Sequence, residues 1–296
     1  MSRRREALAA YLLCAPALGG LAVFVAGPFL LAVGLAFTNA RLGSPLPLEW
    51  VGWTQFRRLL EDPVFVRALT NNALFAAVVV PLQTALALAL ALLLNQPLRG
   101  RVLFRTLFFL PVVFPMSLVA VVWILIYAPG PNGMLNAFMG AVTLGAWTPR
   151  DFLHDPDWAL PAIMLTSIWQ GVGFQMVIVL AGLQAIPEER YEAAALDGAG
   201  RRAQFRHVTL PGLRNTLIFV MLVTTILAFR LFDQVQIMTQ GGPRYATTTV
   251  MYEAVQAAFS RQQVALGAAM SVVFFLIVLA VTGVQRHLVR QERALE

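Results

Sequence analysis

The chain contains no lysine: all 22 of its basic residues are arginine. A phosphate-binding loop of the nucleotide-hydrolysing kind needs a lysine beside its Ser/Thr, so no standard ATP site is encoded here. Cysteine is almost absent too. Cys14 stands alone, which excludes an intramolecular disulfide, and its place in an apolar run reads as packing rather than chemistry. Charge is scarce: 12% of the 296 residues, where soluble proteins carry about 25%. No His-Glu-x-x-His, Gly-x-Ser-x-Gly or Ser/His constellation occurs within an apolar run, which argues against an intramembrane enzyme.

What fills the chain is apolar, with 58% hydrophobic residues and a mean hydropathy of +0.71. Six runs reach the roughly 20 residues that a helix needs to cross a bilayer core of about 30 Å. They cover about 12–37, 71–95, 103–128, 159–184, 212–235 and 264–285. None alternates over about ten residues as barrel strands do. The expected fold is an all-α integral membrane protein, one transmembrane domain over 1–296 with six transmembrane helices.

The net charge of +7 orients such a protein and does not point to nucleic acid. With the N-terminus inside, fourteen arginines fall near inner segments: Arg3, Arg4, Arg5, Arg99, Arg101, Arg105, Arg190, Arg201, Arg202, Arg206, Arg214, Arg286, Arg290 and Arg293. Seven (Arg41, Arg57, Arg58, Arg67, Arg150, Arg244 and Arg261) fall in the longer outer segments. That is the positive-inside bias, and it places both termini in the cytoplasm. The start Met1-Ser2-Arg3-Arg4-Arg5 resembles a signal peptide, but the apolar run continues past Gly20 and is read as a retained first span.

Between the spans, Thr54–Glu61 and the Asp62-Pro63 helix start predict two short surface helices. Met134–Trp147 is too short to span and suits an interfacial helix. Asp151, His154, Asp155 and Asp157 offer a possible metal cluster, but no second His accompanies them and a solvated loop is the better reading.

The segment 185–214 carries the clearest pattern. Pro187 with Glu188 and Glu189 starts a helix, and Glu192 to Ala195 extend it with good helix formers. Gly198 ends it. A second short helix is expected over Arg201–His207, and Leu210-Pro211 is expected to turn the chain back into the fifth span. The order is Glu192-Ala193-Ala194, three residues, Gly198, nine residues, Val208-x-Leu210-Pro211. This resembles the "EAA loop" of the permease subunits of binding-protein-dependent ABC importers, E-A-A-x3-G-x9-[IV]-x-L-P, at all seven positions. Phe232-Asp233, Met238 to Pro243 and Thr247 to Thr249 resemble the carbohydrate branch of that family, and Trp53 to Phe65 does so more weakly.

The resemblance implies a coupling loop, 185–211, seated on a separate ATPase. Glu192 would make its polar contact, Ala193 and Ala194 its close approach, and Gly198 its turn. It implies a bacterial or archaeal cytoplasmic (inner) membrane, a second related permease in a heterodimer, two ABC ATPase subunits and an extracytoplasmic solute-binding protein. ATP and Mg2+ would sit on the ATPases, and this chain would bind no cofactor. Transport of a sugar or oligosaccharide would run by alternating access.

Polar groups inside spans tend to face the bundle interior. The fourth span offers Trp169, Gln170, Gly171, Phe174 and Gln175; the fifth offers Phe229, Arg230 and Asp233. These are the candidate substrate-pathway residues. Arg230 and Asp233, spaced i,i+3, can share a helix face and could equally form a structural ion pair, while Trp169 and Phe174 could serve helix packing. Arg230 could also serve a phosphate, which keeps glycerol-3-phosphate or a glycerophosphodiester open as cargo. An ion-coupled secondary transporter is remote: Asp233 is the only carboxylate near a span interior, and no span holds a His.

Overall fold

The computed structural model describes residues 3–97 and 99–293. Side chains at 3–10 and 288–293 lie outside the described residues, so the arginines counted there add nothing structural. The described residues contain no strand, only an isolated bridge between Thr38 and Trp50. Two compact units form: residues 3–65 with 253–277, and residues 66–252 with 278–293.

In the first unit, α1 (Arg3–Leu21) and α2 (Gly27–Leu35) are joined by a π-helical turn at Ala22–Ala26. Over Tyr11–Leu35 no residue of the most apolar stretch is buried. A helix apolar all round is suited to a lipid environment. Cys14 is exposed on it rather than packed. The following loop closes on itself through hydrogen bonds from the Val51 N–H to the Phe37 carbonyl (2.8 Å) and from the Asn39 N–H to the Glu49 carbonyl (3.1 Å). One short helix follows, α3 (Thr54–Glu61), not two. The Asp62-Pro63 start belongs instead to α4 (Pro63–Leu94), with Asp62 Oδ1 accepting the Val64 N–H at 2.8 Å. Nothing between Pro63 and Leu94 interrupts the backbone bonding except Pro81. The helix therefore runs unbroken for about 48 Å.

The second unit is built on the lower part of α4, then α5 (Arg101–Val113), α6 (Met116–Ile126), α7 (Met134–Val142) and α8 (Ala159–Gln184). After these come α9 (Glu188–Leu196), α10 (Arg201–Gln204), α11 (Leu210–Phe229), α12 (Val250–Val255) and α13 (Val264–Arg293), the last two shared with the first unit. Among the described residues, five helices are long and apolar enough to cross a membrane. A sixth is counted if α5 and α6, which meet at 101°, are one broken span. The break has a local cause. Pro115 removes an N–H and biases Phe114 to extended backbone (φ −81°, ψ 139°).

α8 is the axis of this unit, packing against α5, α6 and α11. Between apolar helices in lipid, close van der Waals approach replaces the hydrophobic drive. Ala87, Ala91 and Leu94 of α4 meet Val172, Met176, Val179 and Leu183 of α8 and Leu213 and Val220 of α11. Gly173 has the Phe108 carbonyl of α5 where a Cβ would stand.

The chain does not turn at Leu210-Pro211. Arg201–Phe229 is a continuous run, with a π-helical turn at Phe205–Thr209 joining α10 to α11. Pro28 and Pro211 each lie two residues beyond such a π turn. The widened turn relieves the clash a proline ring makes with the carbonyl of the preceding turn, so the proline stays inside the helix.

Candidate functional site

A cavity of about 290 Å³ opens in the second unit between α4, α8 and the end of α11. Ligand pockets start at about 300 Å³, so it has room for one small ring. Its polar lining is Gln83, Ser167, Gln170, Thr224, Arg230, Asp233 and Gln234, with Gly171 between them and Phe75, Val79, Met116 and Leu227 as apolar walls. A narrower cavity of about 90 Å³ shares Gln83, Gln170, Gly171 and Thr224 and adds Phe174 and Gln175.

The candidate pathway residues divide accordingly. Gln170, Gly171, Arg230 and Asp233 line the larger cavity. Gln175 is buried at the narrower one, where its Nε2 donates to Thr224 Oγ1 and its Oε1 has no partner among the described residues. Trp169 lines neither and stands edge-on to Trp123 at 5.5 Å. Phe229 is buried and lines neither.

Arg230 and Asp233 do not share a helix face. α11 ends at Phe229, Arg230 caps it (φ −79°, ψ 18°), and the next helical turn begins only after residue 232. Among the described residues no salt bridge joins them, so both charges are presented to the cavity. Gln234 Nε2 donates to Ser167 Oγ at 3.1 Å, tying this segment to α8. Gln170 Nε2 donates to the Phe114 carbonyl at 3.3 Å, which is the acceptor exposed by the α5–α6 break.

Reasoning along the fourth and fifth spans missed Gln83 of the second. An amide within an apolar helix is itself a signal. It was legible in the sequence; its direction was not.

The loop 185–211 forms a second candidate surface. Pro187 precedes α9, with Glu188 and Glu189 in the first turn. Gly198 takes φ +77°, and the Ala199 N–H bonds back to the Ala194 carbonyl at 2.9 Å while Gly198 bonds Ala195 at 3.0 Å. This is the glycine-closed helix end. Glu192 and Ala193 are exposed and Ala194 is half-buried. Leu196 is 90% exposed. Tyr191 Oη and Thr209 Oγ1 lie 3.0 Å apart and hold α9 against the π turn that carries Val208. Leu210 and Pro211 open α11.

The acidic loop forms no metal cluster among the described residues. His154 Nδ1 pairs with Asp151 Oδ1 at 2.9 Å. Burial alone would raise the Asp151 carboxyl, but hydrogen bonds from the His154 side chain and backbone outweigh it and hold the group below the ordinary carboxylate value.

Residues 83–294 match the family model described as "Binding-protein-dependent transport system inner membrane component". The sulfoquinovosyl glycerol transport system permease protein SmoG of Agrobacterium fabrum is 33% identical over 290 residues, covering 96% of this chain and 91% of that protein. The sn-glycerol-3-phosphate transport system permease protein UgpA of Yersinia pestis is 31% identical over 287 residues, covering 95% and 94%. Among solved structures, a bacterial ABC transporter involved in the import of the acidic polysaccharide alginate contains a chain with a TM-score of 0.81. It is 22% identical and the match covers 98% of this chain and 96% of that one, a likeness of fold.

Proposed function

This chain belongs to the binding-protein-dependent transport system inner membrane components, and from that premise we propose how it works as the permease subunit of an ABC importer. The loop 185–211 is the seat of the ATPase, and the cavity lined by Gln170, Arg230 and Asp233 is part of the translocation path. One observation carries the first assignment. α9 presents Glu192, Ala193 and a nearly fully exposed Leu196 on a helix that Tyr191 and Thr209 brace from behind. A rigid helix with an uncovered small-residue and leucine face suits a partner groove, and the absence of lysine means that ATP and Mg2+ must be held elsewhere.

The assembly pairs this chain with a second related permease, two ABC ATPases and an extracytoplasmic solute-binding protein, with both termini and the loop 185–211 in the cytoplasm. ATP-driven closure of the ATPases pulls on α9, and the π turn transmits that pull into α11, whose far end carries Arg230. The cargo is a sugar, oligosaccharide or glycoside. Amides and a charged pair supply hydrogen bonds to hydroxyls, and SmoG, named for a glycoside, is 33% identical. Glycerol-3-phosphate or a related phosphodiester is the second reading. It draws on the guanidinium of Arg230 and on the likeness to UgpA.

Substituting Glu192→Ala or Gly198→Val tests the coupling assignment. Gly198 needs a left-handed backbone that a β-branched residue adopts only at a cost of about 1–2 kcal/mol. Both variants should insert normally, lose co-purifying ATPase and lose substrate-stimulated hydrolysis. Full retention of ATPase and of stimulated hydrolysis in both would overturn the assignment.

A further inference from the structure

Asn71 and Asn72 are consecutive on α4, both buried, and neither lines the cavity. Buried amides in an apolar helix persist where they are fully bonded, and the partners here are distant in sequence. Asn72 Oδ1 accepts the Val250 N–H at 2.9 Å, and its Nδ2 donates to the Phe229 carbonyl at 3.3 Å. These are groups that helices leave unpaired at their ends: the first N–H of α12 and the last carbonyl of α11. Asn71 Nδ2 donates to the carbonyls of Tyr245 and Thr248, each at 2.9 Å.

The segment strapped in this way runs from residue 230 to residue 249. Gln240, Arg244 and Tyr245 within it hold left-handed backbone (φ 51°, 49° and 61°). Each such residue costs on the order of 1–3 kcal/mol and persists only where its surroundings over-determine it. Thr249 Oγ1 adds a bond to the Leu231 carbonyl at 2.8 Å. Arg230 is the first residue after the Phe229 anchor. No carboxylate among the described residues holds its guanidinium, so its position in the cavity is set by its backbone.

We infer that Asn71 and Asn72 are positioning residues that hold Arg230 and Asp233 at the cavity by clamping both ends of the 230–249 segment to α4. Fixing the Phe229 carbonyl fixes the direction in which the chain leaves α11, and with it where Arg230 points. The geometry stands by itself; its consequence for transport rests on reading the cavity as the translocation path.

The test uses the importer complex isolated through this chain in nanodiscs, in a Cys14→Ser background. A cysteine replaces Arg230, or Met116 at the start of α6 as a control, and its rate of maleimide labelling is measured. Asn72→Ala removes two modest hydrogen bonds and should change the Arg230→Cys rate about tenfold or more while leaving the Met116→Cys rate unchanged. Asn72→Asp keeps the acceptor for Val250 but loses the donor to Phe229. It should reproduce the labelling change while the Val250 amide stays slow to exchange with deuterium. Asn71→Ser provides a milder variant should Asn72→Ala fail to assemble, with a smaller change in the same direction. Equal changes at both cysteines, or none at Arg230→Cys, would overturn the positioning role. Trapping with ATP and vanadate tests the underlying reading separately. An Arg230→Cys rate indifferent to trapping rejects the cavity as an alternating-access path, whatever Asn72 does.

Discussion

The side-chain amide of Gln83, on α4, occupies the space in which a Cβ on Gly171 of α8 would stand. Two helices thus meet over a missing methyl group, at the wall of the cavity that both residues line.

Gly171→Ala pushes against a flexible side chain, which can rotate away into the cavity. Gly173→Ala pushes against the backbone of Phe108 and Phe109, which cannot yield without parting α5 from α8. Overpacking of that kind costs about 1–3 kcal/mol or more. Heat-challenge size-exclusion chromatography should show Gly171→Ala close to wild type and Gly173→Ala clearly less stable, while uptake falls in both. The opposite order of stabilities would contradict the packing described.

Arg230→Ala and Asp233→Asn should leave the melting temperature nearly unchanged, because no ion pair is broken. If the cavity is the translocation path, each removes a charge-assisted hydrogen bond to cargo, worth about 1.5–3 kcal/mol, so uptake affinity should fall roughly 10- to 150-fold on that basis. A loss of stability on the scale of a broken buried pair, about 3–5 kcal/mol, would show instead that the two residues hold the fold together. Competition by phosphate esters against neutral sugars, compared before and after Arg230→Ala, separates the two cargo readings.

Leu196→Asp places a charge on a side chain that is 90% exposed. Surface changes of this sort lie within about 0.5 kcal/mol of neutral for the chain itself. Association with the ATPase should nevertheless weaken, since a groove that takes a leucine must desolvate the carboxylate. Unchanged retention of ATPase on the affinity column would remove Leu196 from the contact.

Tyr191→Phe deletes one hydroxyl, and with it the link to the buried Thr209. The stability loss should be about 1 kcal/mol. If α9 transmits force to α11 through this brace, the ATPase should still bind while fewer substrate molecules are carried per ATP hydrolysed. Coupling equal to wild type would assign the brace to stability alone.

The two halves of the site differ in how far they could be read in advance. Pro187 to Pro211 form a local device. Helix start, glycine stop and spacing lie within 25 residues, so propensity and turn chemistry expose them directly. The cavity is assembled from α4, α8 and the end of α11, and composition ranks polar residues in a span without saying which way they face. Gln170 and Arg230 turned inward; Trp169 turned to Trp123.

The proline-bearing helices make the same point. Pro111 sits inside α5, Pro211 inside Arg201–Phe229, and Pro115 breaks the chain by 101°. All three remove an N–H alike. What separates them is the surroundings: a π turn upstream of Pro211, and Gln170 from another helix to satisfy the carbonyl of Phe114.

Local chemistry therefore determined, from the sequence by itself, the all-α membrane character, the apolar runs and the device at 187–211. The missing lysine likewise excluded a standard phosphate-binding loop from this chain. Only the tertiary structure decided where α11 stops, that Arg230 and Asp233 stand apart, and that Asn71, Asn72 and Gln83 of α4 shape the segment and the cavity. The reason is physical: periodicity and capping act within a few turns of one helix, whereas the partners of a buried amide lie more than 150 residues away along the chain.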